Sequence, residues 1–301
     1  MMIPATSQPA AIGRGMAMAL LCYFLLTVMD ALIKELTAGY SLPQIVFLRT
    51  LFGFGPIAFA VYRAGGLAQL RTRNLPGHLA RGTIGCAAGF LFFYSFSVMP
   101  LADSYAIAFA APLFITALGV PMLGERVDAG RWAAVLVGFA AILFMLREQV
   151  SASGLLTLGG AAALAGAACY ATTVTYMRRQ SRTETNAAIM VYGSGAGLLI
   201  SGALLPFGHW TPMPLADFGL MVAVGGVGGL ASLCMTQAFR LAPAAVVAPF
   251  EYTAMVWAVL FGYWLWGDVP SSTIVAGSLV IVACGLYSLH RETRLARPEA
   301  A

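Results

Sequence analysis

Cut into its long apolar stretches, this chain places nearly all of its positive charge on one side. Ten stretches run near residues 12–36, 42–62, 79–98, 101–123, 129–146, 155–176, 185–206, 215–239, 244–266 and 272–289. Each has about the 17 to 25 residues that a helix needs to cross a hydrocarbon layer of roughly 30 Å. With the N-terminus in the cytoplasm, the inside connections collect Arg14, Arg63, Arg71, Arg73, Arg81, Arg126, Arg131, Arg178, Arg179, Arg182, Arg240, Arg291, Arg294 and Arg297. The outside set holds Lys34 and Arg147, and Arg49 lies within a span. So strong a bias predicts an all-α integral membrane protein of ten transmembrane helices with both termini cytoplasmic.

Composition agrees by a separate route. The chain is 60% hydrophobic and 10% charged, with a mean hydropathy of +0.83, where soluble domains carry about 25% charged residues. The net charge of +5 fits loops facing an anionic cytoplasmic leaflet, so no nucleic-acid partner is expected. Cys22, Cys86, Cys169, Cys234 and Cys284 all fall inside spans with no close pair and no neighbouring His, which indicates neither a disulfide framework nor a metal site. No cofactor is expected. The first span is too long for a signal-peptide core and carries Asp30 near its end, so it is read as a permanent helix. The expected setting is a bacterial-type inner membrane, crossed many times, with a monomer in lipid as the expected assembly.

The sequence also repeats itself. At a shift of 143 residues, Gly82 meets Gly225, Gly85 meets Gly228, Phe96 meets Phe239, Pro100 meets Pro243, Gly119 meets Gly262 and Gly124 meets Gly267, with Glu125 on Asp268. Cys22-Tyr23 is echoed by Cys169-Tyr170 at a shift of 147. The halves, 1–150 and 151–301, then hold five helices each. An odd number forces the second copy to enter the membrane from the other side, so the halves are inverted repeats. That architecture puts a site near the midplane between repeats and supports alternating access.

Two five-helix halves, each with a fourth helix ending in Gly-acid (Leu123-Gly124-Glu125 and Trp266-Gly267-Asp268), resemble the drug/metabolite transporter superfamily and its EamA-type permeases. Length and layout are similar to the YddG-type exporters of aromatic amino acids. The resemblance implies an efflux carrier of small metabolites. Asp268 departs from the usual Gly-Glu ending but keeps the charge.

Ionisable residues at membrane depth are functional candidates because they cost free energy there. Asp30 and Arg49 each lie about seven residues from the outer ends of their spans, roughly 10 Å deep. Equal depth on consecutive helices predicts either a mutual ion pair or a joint site for a zwitterion, Arg49 taking a carboxylate and Asp30 an ammonium group. Lys34 either snorkels outward or competes for that carboxylate. Glu251 lies inside the ninth span between Phe250 and Tyr252, while its repeat-mate is Ala108. Scarce water disfavours a carboxylate, so Glu251 is a candidate for proton coupling or for meeting a cation; the plainer alternatives are snorkelling or pairing with Arg240. Tyr94, Tyr105, Phe109, Tyr170, Tyr192, Phe250, Tyr252 and Trp257 lie deep in spans. Buried tyrosines need partners for their hydroxyls, which points to a polar-lined cavity able to stack planar solutes. Gln237, the repeat-mate of Tyr94, would add a neutral donor and acceptor. The predicted substrate cavity is Asp30, Arg49, Tyr94, Tyr105, Gln237, Phe250, Glu251, Tyr252 and Trp257. Gly55, Pro56, Gly85, Gly89, Pro112, Gly228, Gly229 and Pro249 are read as close-packing or hinge positions.

The expected function is a secondary transporter exporting small metabolites, amino acids including aromatic ones foremost. A carrier of planar cationic drugs or nucleosides is the alternative. The sequence has no His-Glu-x-x-His helix, no Gly-x-Ser-x-Gly elbow and no Walker loop, and His78, His209 and His290 are far apart, so no enzyme is expected.

Overall fold

The structure, a computed structural model, describes residues 9–124, 129–147, 157–181, 183–242 and 247–295. Every regular element among them is helical, as a lipid-embedded chain requires, because only a helix satisfies its own backbone hydrogen bonds within one segment. The elements are α1 (Pro9–Leu36), α2 (Leu42–Arg63), a 3-10 turn (Gly66–Leu70), α3 (Leu75–Val98), α4 (Leu101–Ala108), α5 (Ala111–Leu123) and α6 (Ala129–Leu146). Then follow α7 (Leu158–Gln180), α8 (Asn186–Leu204), α9 (Leu215–Leu241), a 3-10 turn (Ala248–Tyr252), α10 (Thr253–Trp266) and α11 (Ser272–Leu295). Seven segments are long and apolar enough to cross a membrane, 101–123 counting as one, and two shorter apolar stretches lie in α6 and α11. The expected ninth span corresponds to the 3-10 turn and α10, and its beginning lies outside the described residues. Large apolar side chains face outward: Leu136, Leu199, Trp264 and Leu279 are between 66% and 71% exposed, as suits contact with lipid.

The expected fourth span is not one continuous helix. Pro112 has no N–H to give the Ala108 carbonyl, and the chain breaks at Phe109 and Ala110 before α5 begins. In the second half the break falls at the matching place, where the 3-10 turn containing Pro249 gives way to α10. The Gly-acid endings also match in geometry. Gly124 (φ 69°) and Gly267 (φ 71°) both take the left-handed conformation that closes a helix C-terminus, a place where a Cβ would be strained. Gly267 N–H donates to Tyr263 and Asp268 N–H to Gly262, capping the last turn of α10.

Packing follows the duplication. α1 lies on α9 as α7 lies on α3; α2 lies on α9 as α8 lies on α3; α10 meets α1 as α4 and α5 meet α7. The pairs α2 with α8, α4 with α10 and α6 with α11 join equivalent helices. Exchanging the halves therefore maps the contact pattern onto itself, and the main contacts run between halves rather than within them. Neither half has a separate core: one apolar cluster joins Ile107 and Ile142 with Ala163, Ala167, Ile274 and Ile281.

Two polar straps repeat the symmetry at opposite ends of α2, about 33 Å apart for its 22 residues. At one end Tyr40 donates to Asp217, and Gln44 exchanges two hydrogen bonds with the Thr211 backbone (2.8 and 3.0 Å). At the other, which carries most of the arginines and is here called the basic end, Thr185 donates to the Gln69 carbonyl and Tyr192 to that of Leu70. His78 also lies 3.3 Å from Glu184 there. Hydrogen bonding from Thr72, then the nearby His78, pulls the Glu184 carboxyl below its ordinary value. That strap is therefore favoured above the ordinary carboxyl range and weakens as pH falls through the depressed value.

Glycine sets how closely the halves approach. A Cβ on Gly225 would stand 2.5 Å from Phe52 and 2.9 Å from the Arg49 carbonyl, and one on its repeat-mate Gly82 would stand 2.5 Å from Ala196. Gly229 meets Pro56 equally closely, whereas Gly55 has nothing within 4 Å. Gly225→Ala and Gly82→Ala should each destabilise the purified protein by about 1–3 kcal/mol through overpacking, while Gly55→Ala should not. Thermal melting in detergent reads this, and a wild-type melt for Gly225→Ala would contradict the close crossing.

Candidate substrate cavity

Two adjoining cavities occupy the interface between halves. The larger, about 810 Å3, is lined by α1, α2, α3, α7, α8 and α9. Its wall includes Ser181 and Asn186, both exposed at the basic end, and no described residue from the connections at the opposite end. It therefore opens at the basic end. The smaller, about 280 Å3, lies beyond it, and Leu26, Arg49, Gly85 and Gly89 border both.

The smaller cavity gathers charge against an aromatic wall. Asp30 from α1, Arg49 from α2 and Glu251 from the 3-10 turn before α10 all line it, with Tyr23, Tyr105 and Tyr170. Tyr105 donates a 2.6 Å hydrogen bond to Asp30. Its ring stacks on Phe96 at 5.9 Å and stands edge-on to Phe109 at 6.5 Å; Phe109 in turn meets Tyr252 at 5.4 Å. Symmetry explains the location. Ala108 and Glu251 are repeat-mates lining the same cavity, as are Ala111 and Ala254, and Phe109 touches its own mate Tyr252. Tyr23 and Tyr170, the echoed tyrosines of α1 and α7, face each other's half across the same space. Broken helices at the midplane between repeats are where carriers of this architecture hold solutes.

Several expectations need correction. Asp30 and Arg49 make no ion pair within 4.0 Å. Asp30 is held by Tyr105, while Arg49 packs its Nε 3.3 Å from the Met29 sulfur and lays its guanidinium 5.2 Å from the Phe93 ring centre. Neither group is paired with an opposite charge among the described residues. Lys34 neither snorkels nor reaches the cavity. It donates to the Met99 carbonyl (2.8 Å), pairs with Asp268 (3.5 Å) and lies over Trp266 (4.7 Å), tying the end of α1 to both halves. Tyr94, Gln237, Phe250, Tyr252 and Trp257 are not among the lining residues of either cavity. Gln237 is exposed on the bundle surface. Phe250 packs on Ala19, Ala238, Ala242 and Val247, Tyr252 on the cluster around Ile107, and Trp257 edge-on to Phe24 at 5.1 Å. Helical spacing had put these aromatics at the right depth but on faces that meet other helices. The Arg240 side chain, the suggested partner of Glu251, and that of Pro249 lie outside the described ones. Tyr170 was among the deep aromatics of the sequence but outside the predicted cavity set, and Tyr23 was missed, although their shared Cys-Tyr repeat was visible.

Together the duplicated helices, the broken fourth spans and a charged, aromatic cavity at the repeat interface define a membrane carrier of small molecules. The chain belongs to the EamA-like transporter family, which matches residues 13–147 and again 157–289. It is 29% identical over 272 residues to the pseudopaline exporter of Pseudomonas aeruginosa, covering 90% of this chain and 94% of that protein. It is 22% identical to the S-adenosylmethionine uptake transporter of Rickettsia prowazekii (91% and 93% covered) and 25% identical to a riboflavin transporter of Rhizobium johnstonii (78% and 77%). One crystal structure shares the fold over 97% of this chain and 100% of its own, with a TM-score of 0.63 at 20% identity. The protein is a multi-pass inner-membrane transporter and not an enzyme.

Gly89 offers a test of the passage between cavities. It borders both, and a Cβ there would meet nothing within 4 Å. Gly89→Val should keep the melting behaviour within about 1 kcal/mol of wild type while lowering transport several-fold, since its branches enter the junction. Full transport by a folded Gly89→Val protein would show that solute does not pass this point.

Proposed function

We propose that this transporter exports a small metabolite bearing an amino-acid head and a planar group, aromatic amino acids first among them. The observation that carries the reading is the cavity where Arg49 and Asp30 stand close but unpaired against Phe92, Phe93, Phe96 and Tyr105. A guanidinium takes a carboxylate in a bidentate grip and a carboxylate takes an ammonium group, while the ring wall favours a planar side chain. Export is supported by the 29% identical relative, itself an exporter. Ten spans in two inverted repeats, both termini cytoplasmic, with the basic end inward, complete the proposal. Transport proceeds by alternating access. A cysteine introduced at Arg71 or Arg179 should then resist labelling from the periplasmic side.

One observation favours a second reading. The smaller cavity holds two carboxyl groups, Asp30 and Glu251, against one guanidinium. A solute with an added cationic group fits that excess, and one relative carries S-adenosylmethionine. Counterflow in liposomes with phenylalanine, leucine, S-adenosylmethionine, riboflavin, a purine nucleoside and a quaternary ammonium dye ranks the candidates. Phenylalanine should exchange saturably, and Arg49→Gln should raise its half-saturation at least about tenfold, the loss expected for a hydrogen bond to charge. Uptake of the dye alone would overturn the amino-acid reading.

Glu251 is proposed to couple transport to protons. Glu251→Gln keeps the shape and removes the titration, so it should flatten the pH dependence of counterflow. An unchanged pH profile would leave Glu251 a structural residue.

A further inference from the structure

Besides Arg49, the larger cavity is lined by Arg81 and Arg178, and Arg81 has no counter-charge among the described residues. Arg81, one turn after His78 on α3, is 8% exposed. Its Nη2 donates to the Ile189 carbonyl at 2.5 Å, its Nε has no partner, and no carboxylate oxygen of a described residue lies within 4.0 Å. Glu184 at the same end is engaged by His78 and Thr72 instead. A guanidinium keeps its proton at any working pH, so burial here maintains a full positive charge that, among the described residues, a backbone carbonyl answers. Burying a charge costs free energy unless it is paired, which is hard to reconcile with a purely structural role. The seat is also shaped for it: a Cβ on Gly193 would collide with this guanidinium.

We propose that Arg81 is a docking site for the carboxylate of a solute entering the larger cavity, an outer station in series with Arg49. Twelve residues of α3, about 18 Å of helix, separate Arg81 from Phe93, over whose ring Arg49 lies. Between them α3 lines the larger cavity with Gly82, Gly85, Cys86 and Gly89, three glycines and one small side chain, so little projects from this wall along the way. An anionic group is drawn in at the mouth, released, and taken again at the junction with the smaller cavity. The proposal rests on the function above for its carboxylate-bearing solute and for Arg49 as the inner station, while the site at Arg81 is its own.

The test is the melting midpoint of the purified full-length protein titrated with phenylacetate, and with benzylamine as the cationic control. A ligand that binds only the folded state raises the midpoint by mass action. Phenylacetate should raise that of wild type. Arg81→Gln and Arg49→Gln should each lose about half of the rise, the double variant all of it, and Arg81→Lys should keep most; Arg81→Gln should leave the benzylamine response unchanged. Gly193→Ala, which leaves the charge but displaces the guanidinium, should act like Arg81→Gln and serves if the latter does not fold. A full rise in Arg81→Gln or, in its place, Gly193→Ala, with all of it lost in Arg49→Gln, would overturn the Arg81 site and spare the proposed function. The reverse pattern would overturn the role of Arg49 and leave Arg81 standing. No rise in wild type would overturn both.

Discussion

Helix α9 crosses α2 so closely that one methyl group on Gly225 would run into Phe52 and the Arg49 carbonyl, and α3 crosses α8 in the same way at Gly82. In lipid there is little hydrophobic drive between helices, so small residues that let backbones meet supply the packing. Because the two crossings are repeat-mates, each half is completed by the other. The cavity follows from this: the helices that meet across the interface also leave space there, and the broken fourth spans bring Ala108 and Glu251 to the same place from opposite halves. The site belongs to neither half.

Function begins where the symmetry fails. Lys34 ties the end of α1 to the Met99 carbonyl, to Asp268 and to Trp266, closing the end opposite the arginines. Its counterpart at the shift of 147 is Ser181, which is exposed and lines the mouth of the larger cavity. One side chain long enough to bridge helices thus marks the closed end, and one too short to do so marks the open end. The partly exposed ion pair contributes little by itself; the backbone carbonyl and the indole ring share the ammonium group and make it a three-way tie. Two symmetric straps, around Tyr40 and around Thr185, hold neighbouring connections together at both ends.

Much of this was legible in the sequence because it is periodic or costly. Spans show as runs of apolar residues, the duplication as matched glycines, and buried charge as isolated ionisable residues, so Asp30, Arg49, Tyr105 and Glu251 were picked out by chemistry alone. Which way a side chain points was not legible. In a helix that is apolar on all sides, neither the lipid face nor the cavity face leaves a polar stripe to read. Tyr252 and Trp257 therefore looked like cavity residues although they pack against neighbouring helices. The ion pair expected of Asp30 and Arg49 rested on equal depth, which fixes position along the membrane normal but not rotation about the helix axis. Arg81 was read as one more inside charge, because nothing in the sequence says that it is buried without a carboxylate.

α1 and α3 both line the cavity and can be followed at both ends by spin labels in proteoliposomes. One pair, at Arg14 and Leu79, reports the basic end, and another, at Glu35 and Val98, reports the end tied by Lys34; all four positions are exposed. A carrier that alternates should show a second population in which the Glu35 to Val98 distance lengthens while the Arg14 to Leu79 distance shortens. Lys34→Ala should enlarge that population. Distances that stay single and unchanged with and without Lys34, or that lengthen together at both ends, would contradict a bundle that rocks about its central cavity.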